Sequence, residues 1–248
     1  MFFSKRTAAV LLLSTLCFTA SYAENAAGAP SDGNTPTESR LAAPLAPAQV
    51  VVQKKAWEYG PFINGGVGVT ADRYDYYYSS VGFQIGKPIS RVLKAGILTG
   101  QFEMCGDIMP YWQSFTPANH LETFKGYTYE VNGGTFTGMT ITPLILRWNL
   151  TRHSHKFLPW AQGAGGILYT THKYPPAQIV PEGTPGGTSV FNFTPQGGIG
   201  VHYFLKPGRS IDLKASAVHI SSASLGDKNP GVNASVQFQL GYTWWKVK

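Results

Sequence analysis

The chain has 248 residues, a formal net charge of +7, 13% charged residues and 13% aromatic residues. Soluble domains usually carry about 25% charged residues, so the charged fraction is low for that class. The hydrophobic fraction of 43% is ordinary, which excludes a bundle of membrane helices, and the aromatic content excludes a chain that is disordered throughout. The 28 glycines and the many aromatic residues indicate strands in contact with an apolar environment.

The N-terminus has the features of a secretory signal peptide. Lys5 and Arg6 form a basic start, residues 8–20 form an apolar run, and residues 21–23 offer small side chains where a signal peptidase needs them. The apolar run is shorter than the roughly 20 residues of a transmembrane helix. We therefore predict that residues 1–23 are a cleaved signal peptide, whose removal takes away two basic residues and leaves a net charge of +5.

The segment that follows lacks any periodic pattern. Residues 24–55 are rich in Ala, Pro, Ser and Thr, so we predict a flexible leader before a domain over residues 56–248. A partner-binding arm is the alternative for this leader. Cys105 is the only cysteine left after cleavage, so no disulfide can form within the chain. Stability must then come from an extensive hydrogen-bonded framework.

From residue 57 onward the chain contains eight candidate strands. They cover residues 57–69, 76–86, 92–104, 134–150, 157–170, 190–205, 210–222 and 234–247. The last strand is the clearest, because Val236, Phe238 and Leu240 alternate with polar or small residues at period two. In the fourth strand the apolar parity changes at Pro143, which predicts a β-bulge.

The connections between these strands alternate in length. They are short after strands two, four and six, and longer after strands three, five and seven, with a long loop at residues 106–133. Short turns at one end and long loops at the other are typical of outer-membrane barrels with periplasmic termini. Eight antiparallel strands also close a sheet without a free edge, as a bilayer requires. We predict an all-β fold, an eight-stranded antiparallel transmembrane β-barrel in the bacterial outer membrane.

A soluble sandwich or an eight-stranded lipocalin-like barrel is the alternative fold. Alternation along the strands would look similar there, but the apolar side chains would face inward. Periodicity does not tell which face lies inside, whereas the scarcity of charged residues favours the membrane barrel.

One pair of residues on the seventh predicted strand has the chemistry of a nucleophile and its base. His219 and Ser221 are two residues apart, so on a strand they point the same way with Cα atoms about 6.5–7 Å apart. An imidazole and a hydroxyl at that separation can meet, which is the first requirement for a base-activated serine. A pair of this kind also occurs by chance in many strands.

The parity of the strand predicts which face this pair occupies. His219 and Ser221 share the parity of the apolar residues Leu213 and Ala217, whereas Lys214 has the other parity. If the apolar face meets lipid, the pair also faces lipid, near the external end of the strand and at the outer leaflet. A slip of the local register would instead place both residues inward. A histidine and a serine on the lipid-facing side suit a lipid substrate.

The sequence around this pair resembles a known family. The pattern His-x-Ser-x-Ala at 219–223, followed by Asn-Pro-Gly-x-Asn at 229–233, is similar to that of the lipid A 3-O-deacylases, a family of outer-membrane barrels with relatives described as acyloxyacyl-hydrolase-like. The resemblance extends over roughly residues 57–248. Its weaker elements are Pro159-Trp160, Gly163, Gly165, Tyr169, Thr170, Phe191-Asn192-Phe193 and residues 198–200.

The resemblance implies an activity and roles for the pair. Such a barrel hydrolyses the ester-linked acyl chain at position 3 of lipid A and releases a 3-hydroxy fatty acid. Ser221 would be the nucleophile and His219 the general base. The implied partner is lipid A, or lipopolysaccharide, in the outer leaflet. The resemblance implies no metal, no cofactor and no nucleic acid.

The sequence departs from the family at the third catalytic position. Members with a charged third residue carry an acid where this chain has Asn233. An asparagine can orient a histidine through its side-chain oxygen, but it cannot neutralise the imidazolium that forms, so we expect some loss of rate. Asp227 is the nearest acid and could substitute, although its position does not match the motif.

The second departure concerns the oxyanion. The family usually has Asn directly after the serine, and this chain has Ser222. Ser222 is expected to donate to the oxyanion instead, with Asn229 or the amide of Gly231 as alternatives. Lys228, beside the motif, is positioned in sequence to approach a phosphate of lipid A, and a solvated loop residue is the alternative.

A function from another class stays open. The chain could be a non-catalytic outer-membrane barrel with a structural, adhesion or lipid-binding role. A pore is disfavoured, because side chains fill the interior of an eight-stranded barrel. His153 and His155 are too few to indicate a metal site, which generally needs three or four ligands.

Overall fold

The computed structural model describes residues 44–70, 73–124, 126–131, 133–152, 154–176, 178–179, 189–223 and 233–246. This part of the chain contains one α-helix, one 3₁₀ turn at Gly96–Leu98 and eleven strands. The elements are α1 (Pro47–Lys54), β1 (Trp57–Gly68), β2 (Tyr77–Pro88), β3 (Gly100–Thr116), β4 (His120–Phe124), β5 (Tyr127–Val131), β6 (Gly134–Leu150), β7 (Phe157–Tyr174), β8 (Gln178–Ile179), β9 (Ser189–Lys206), β10 (Arg209–His219) and β11 (Ala234–Lys246).

Eight of these strands form a closed antiparallel barrel. The order around the barrel is β1-β11-β10-β9-β7-β6-β3-β2, and β4, β5 and β8 form a separate small sheet. β1 pairs with both β2 and β11, so the first and last strands complete the ring. The predicted fold class is therefore confirmed. No helix among the described residues is long and apolar enough to cross a membrane.

The two faces of the barrel wall differ in polarity. On β11, Phe238 and Leu240 are 64% and 48% exposed, whereas Gln237 and Gln239 between them are buried. The same alternation runs through β10, where Leu213 is exposed and Lys214 is buried. A barrel with its apolar residues outside and its polar residues inside suits a lipid surround, because water-soluble barrels have the reverse arrangement.

A network of charged side chains fills part of the barrel interior. Nη1 of Arg147 lies 2.8 Å from Oε1 of Glu58 and 3.3 Å from Oε2 of Glu103. Nδ1 of His202 lies 2.6 Å from Oδ1 of Asp212. These groups are buried, and each has a hydrogen-bond or ion-pair partner, as burial in a medium of low dielectric requires.

Helix α1 corrects part of the leader prediction. It lies within residues 24–55, for which the sequence predicted a flexible segment without regular structure. Its buried residues Ala48, Val51 and Val52 form one apolar cluster with barrel residues Leu158, Phe204 and Trp245. A short helix is marginal alone and becomes stable when its apolar face packs against other residues. The signal peptide and residues 24–43 lie outside the described residues.

The third strand was predicted at the wrong place. The sequence indicated residues 92–104, and β3 runs instead from Gly100 to Thr116. Its pairing with β6 shifts register between Cys105 and Asp107 and again between Met109 and Trp112. Each shift interrupts the alternation of period two, so the second half of the strand has no clear pattern in the sequence.

Two further boundaries follow from this correction. The predicted long loop at residues 106–133 contains the second half of β3 and the hairpin of β4 and β5. The connection after β2 covers residues 89–99, longer than the short turn that the sequence predicted after strand two. The bulge predicted at Pro143 is confirmed, since the pairing of β6 with β7 shifts between Ile141 and Leu144.

Candidate active site

His219 is the last residue of β10 and lies on the exterior face of the barrel. It pairs with Ala234 of β11 and is half-buried, whereas Val218 and Ile220 are buried on the inner side. The alternation along β10 continues without a bulge between Ser210 and His219 on its β11 side. The histidine therefore occupies the face that its parity indicated.

Ser221 stands just beyond the end of β10 and stays paired with β9. Its amide donates to the oxygen of Phe193 at 3.0 Å, and its own oxygen accepts from the amide of Phe193 at 2.7 Å. The sequence predicted that strand seven runs to residue 222. In the structure the regular strand ends at His219, and a single β-bridge at Ser221 follows it. The bridge holds the serine on the same face as His219.

The chain turns sharply directly after the serine. Ala223 has a φ of 49°, in the left-handed region that alanine rarely adopts. Its amide donates to Oγ of Ser221 at 3.2 Å. Among the described residues, this is the hydrogen bond formed by the Ser221 hydroxyl, and none joins it to His219. Catalytic hydrogen bonds are often long without substrate and shorten when it binds, so the roles of the pair stay predictions.

The imidazole of His219 is held by a main-chain oxygen. Its Nδ1 lies 3.0 Å from the backbone oxygen of Asn233, which also accepts from the amide of Ile220 at 2.9 Å. A carbonyl oxygen only accepts, so Nδ1 must carry the proton in this contact. The lone pair of the neutral ring is then on Nε2, the nitrogen that can serve as a base.

The predicted role of the Asn233 side chain is wrong. Asn233 is 2% exposed, and its Oδ1 accepts from the hydroxyl of Tyr78 at 3.3 Å on the inner side of the wall. Asn233 has the parity of Ser235 and Gln237, both of which are buried in the interior. The residue therefore contacts His219 through its backbone and not through its amide group.

The prediction for Ser222 is also corrected. Its side chain is 1% exposed and follows the buried Val218 and Ile220 in parity, so it faces away from the side on which Ser221 lies. A hydroxyl on the inner side cannot donate to an oxyanion on the outer side. Asn229, Gly231, Lys228 and Asp227 lie outside the described residues, and their roles stay predictions.

The exterior surface beside the pair is apolar. Phe193, which bridges Ser221, pairs with Ile167 of β7, and both side chains are exposed. Phe191 and Tyr169 also pair with each other, and their rings lie 5.3 Å apart. The exterior surface beside Ser221 is therefore suited to contact with acyl chains.

A set of interior residues below the site was missed by sequence reasoning. Tyr78, Tyr174 and Ser114 are buried, and their hydroxyls are hydrogen-bonded to one another, with Tyr78 reaching Asn233. The inward parity of Tyr78 and Ser80 on β2 was a signal for buried polar residues. Nothing in the sequence indicated that they approach residue 233.

One cluster of possible metal ligands lies elsewhere, inside the barrel. One ligand atom from each of Glu58, Glu103 and Cys105 falls within 4.8 Å of the others. Arg147 forms an ion pair with each of the two carboxylates, so a cation already lies beside them. The cluster is part of the interior network and not of the site at His219.

Comparison with known proteins identifies the family. Residues 99–243 match the family model described as "Lipid A 3-O-deacylase (PagL)", which is more than half of the chain and includes both His219 and Ser221. No curated protein matches the chain.

Solved outer-membrane barrels are similar in fold. The crystal structure of the outer membrane enzyme PagL has 17% identity and a TM-score of 0.38, covering 74% of this chain and 98% of that one. Ail of Yersinia pestis has 8% identity and a TM-score of 0.39, covering 77% and 98%. OprG of Pseudomonas aeruginosa has 9% identity and a TM-score of 0.40, covering 78% and 97%. Similarity at this level carries no information about activity.

The class is thus an eight-stranded outer-membrane-type β-barrel. The chain belongs to the lipid A 3-O-deacylase (PagL) family.

Proposed function

We propose that the protein is an outer-membrane serine esterase that removes the 3-position ester-linked acyl chain of lipid A. The observation that carries this proposal is the contact of 3.0 Å between Nδ1 of His219 and the oxygen of Asn233. It supports the tautomer in which Nε2 is free to act as a base, with Ser221 two residues further on the same face. Membership of the lipid A 3-O-deacylase family supplies the substrate class.

The proposed reaction proceeds through an acyl-enzyme. Nε2 of His219 takes the hydroxyl proton of Ser221, and Oγ attacks the ester carbonyl at position 3. The tetrahedral intermediate collapses, and the 3-hydroxyl of lipid A leaves with the proton from His219. Water, deprotonated by His219, then attacks the acyl-serine and releases a 3-hydroxy fatty acid, and the serine regains its proton.

The carbonyl of Asn233 orients the imidazole during both steps. It can accept the Nδ1 proton throughout, but as a neutral dipole it stabilises the imidazolium less than a carboxylate would. Donors for the oxyanion are still required. Asn229 and the amide of Gly231 are our candidates, and Lys228 is a candidate contact to a lipid A phosphate.

The location of the pair suits a substrate that never leaves the membrane. Lipid A in the outer leaflet would reach the exterior of the barrel by lateral diffusion, with its acyl chains along the apolar wall beside Phe193. The predicted signal peptide over residues 1–23 would direct export of the chain. Termini on the periplasmic side would leave the end of β10 near the cell surface.

A lipid-binding barrel without hydrolysis is the second candidate. It is favoured by the hydroxyl of Ser221, which among the described residues contacts the amide of Ala223 and not His219. Such a protein would bind lipid A at the same exterior surface and leave its mass unchanged.

Mass spectrometry of lipid A separates these two candidates. The chain is expressed in a Gram-negative host whose lipid A keeps its 3-position acyl chains, and lipid A is compared with that of the empty host. We expect loss of one 3-hydroxyacyl group with the wild-type protein and no loss with Ser221→Ala. Ser216→Ala, an inward-facing serine on the same strand, is the matched control and should retain the activity. Unchanged lipid A in the wild type would refute hydrolysis.

A further inference from the structure

The hydroxyls of Tyr78, Tyr174 and Ser114 form a hydrogen-bonded chain inside the barrel. Tyr78 and Tyr174 lie 3.0 Å apart at their hydroxyl oxygens, and Ser114 Oγ lies 3.0 Å from the hydroxyl of Tyr174. Tyr174 and Ser114 are 0% exposed, and Tyr78 is 4% exposed. This series of hydrogen bonds ends at Oδ1 of Asn233, which accepts from the hydroxyl of Tyr78 at 3.3 Å.

The direction of donation in this chain follows from proton counting. Each hydroxyl has one proton to donate. Tyr78 uses its proton on Asn233, so Tyr174 donates to Tyr78, and Ser114 donates to Tyr174. Hydrogen bonds that run in one direction polarise each successive hydroxyl, so the two bonds behind Tyr78 strengthen its bond to Asn233.

Asn233 connects this interior chain to the exterior site. Its side chain is held by Tyr78 inside the wall, while its backbone oxygen accepts from Nδ1 of His219 at 3.0 Å. The side chain and the carbonyl of Asn233 share one Cα, so holding the amide group reduces the rotational freedom of the residue. Together with the bond from the Ile220 amide, this restrains the carbonyl that orients the imidazole.

The same interior cluster also reaches the strand that holds Ser221. The backbone oxygen of Tyr174 accepts from Nδ2 of Asn192 at 3.0 Å. Asn192 precedes Phe193, whose amide and oxygen pair with Ser221. Tyr174 is thus connected to both residues that hold His219 and Ser221. Tyr78 links it to Asn233, which contacts His219, and Asn192 links it to Phe193, which pairs with Ser221.

From this geometry we infer that Tyr78 is a positioning residue for His219, acting through Asn233 from the opposite side of the barrel wall. It does not touch the substrate. The ring of Tyr78 packs near Trp112, with centroids 6.0 Å apart, and this packing does not need the hydroxyl. The inference rests on the proposed esterase function of Ser221 and His219.

Tyr78→Phe tests this role, because it removes the hydroxyl and keeps the ring. Purified, refolded barrel is assayed for release of 3-hydroxy fatty acid from lipid A in detergent micelles. We expect kcat to fall roughly 3- to 10-fold, the effect of one lost hydrogen bond, with KM within about twofold of the wild type. Tyr76→Phe, another buried tyrosine of the same apolar cluster, is the matched control and should keep kcat.

A double-mutant cycle separates positioning from a general structural role. If Tyr78 acts through the side chain of Asn233, then Tyr78→Phe should have no further effect on kcat in an Asn233→Ala background. Additive losses in the two variants would overturn the inference, as would an equal loss in Tyr76→Phe. If Tyr78→Phe does not refold, Tyr174→Phe, which removes the next hydroxyl, takes its place in the cycle.

The controls distinguish failure of this inference from failure of the proposed function. If the wild type is active, Ser221→Ala is inactive and Tyr78→Phe equals the wild type, the inference is wrong and the esterase assignment stands. A folded wild-type protein that releases no fatty acid overturns both.

Discussion

Nδ1 of His219 and the backbone oxygen of Asn233 lie 3.0 Å apart, across the pairing of β10 with β11. A main-chain acceptor is present at this position whatever side chain residue 233 carries. In the proposed mechanism, this backbone carbonyl orients the imidazole in place of an acidic side chain. The side chain of Asn233 is then available for the interior contact with Tyr78.

His219→Ala should lower the rate of fatty acid release by about 10²- to 10⁴-fold, the usual contribution of a general base. The barrel should still fold, because His219 is half-buried at the end of β10 and its loss leaves no buried charge. Release kinetics from lipid A micelles give the rate, and heat-dependent mobility on a gel reports folding. His155→Ala, an exposed histidine in a turn, is the control. Retained activity in His219→Ala would exclude the proposed mechanism.

Arg147→Met should destabilise the barrel by about 3–5 kcal/mol, since it leaves two buried carboxylates without their cation. Glu58 and Glu103 both pair with this guanidinium. Urea unfolding in detergent or lipid vesicles, followed by tryptophan fluorescence, measures the loss.

Two further variants check that cause. Arg152→Met, at an exposed turn position, should unfold like the wild type. Adding Glu58→Gln and Glu103→Gln to Arg147→Met should restore much of the stability, because no uncompensated charge would remain. No recovery would mean that Arg147 acts through packing, for example against the ring of Trp160.

Val51→Asp should release helix α1 from the barrel, because it places a carboxylate in a cluster that has no partner for it. Trypsin should then cleave after Lys54 or Lys55 at a higher rate, which gel electrophoresis or mass spectrometry detects. Gln53→Asp on the exposed side of the same helix should cleave like the wild type. Equal cleavage in both variants would contradict the docking of α1.

Ile199→Arg should destabilise the protein in lipid vesicles by about 2–4 kcal/mol, the cost of a cation on the lipid-facing side near the bilayer centre. Ile199 is 66% exposed and lies away from both ends of β9, and its partner Ala215 lies near the middle of β10. Leu205→Arg, near the end of β9, should cost only about 0–1 kcal/mol. Equal costs at the two positions would argue against a bilayer around this wall.

Much of the barrel could be predicted from residue order. The alternation in β11 and the repeated strands indicated eight strands, and their scarcity of charge indicated an apolar exterior. The bounds of β3 were not predicted correctly, because two bulges interrupt its alternation at Cys105 and after Met109. Helix α1 was not predicted, because its stability comes from packing against Leu158, Phe204 and Trp245, which are distant in sequence.

In the candidate site, too, some features could be predicted from the sequence and others could not. His219 and Ser221 share a face because strand geometry places residues i and i+2 on one side, and this holds for any register. Whether the partner of His219 is a side chain or a carbonyl depends on how β10 and β11 pair, and on the inward parity of Asn233. The interior chain from Ser114 to Asn233 likewise exists only once the barrel has closed, because it joins side chains on strands that are distant in sequence. Which residues share a face can be predicted from short sequence spacings. Contacts across the barrel wall depend on the register of strand pairing, which only the tertiary structure defines.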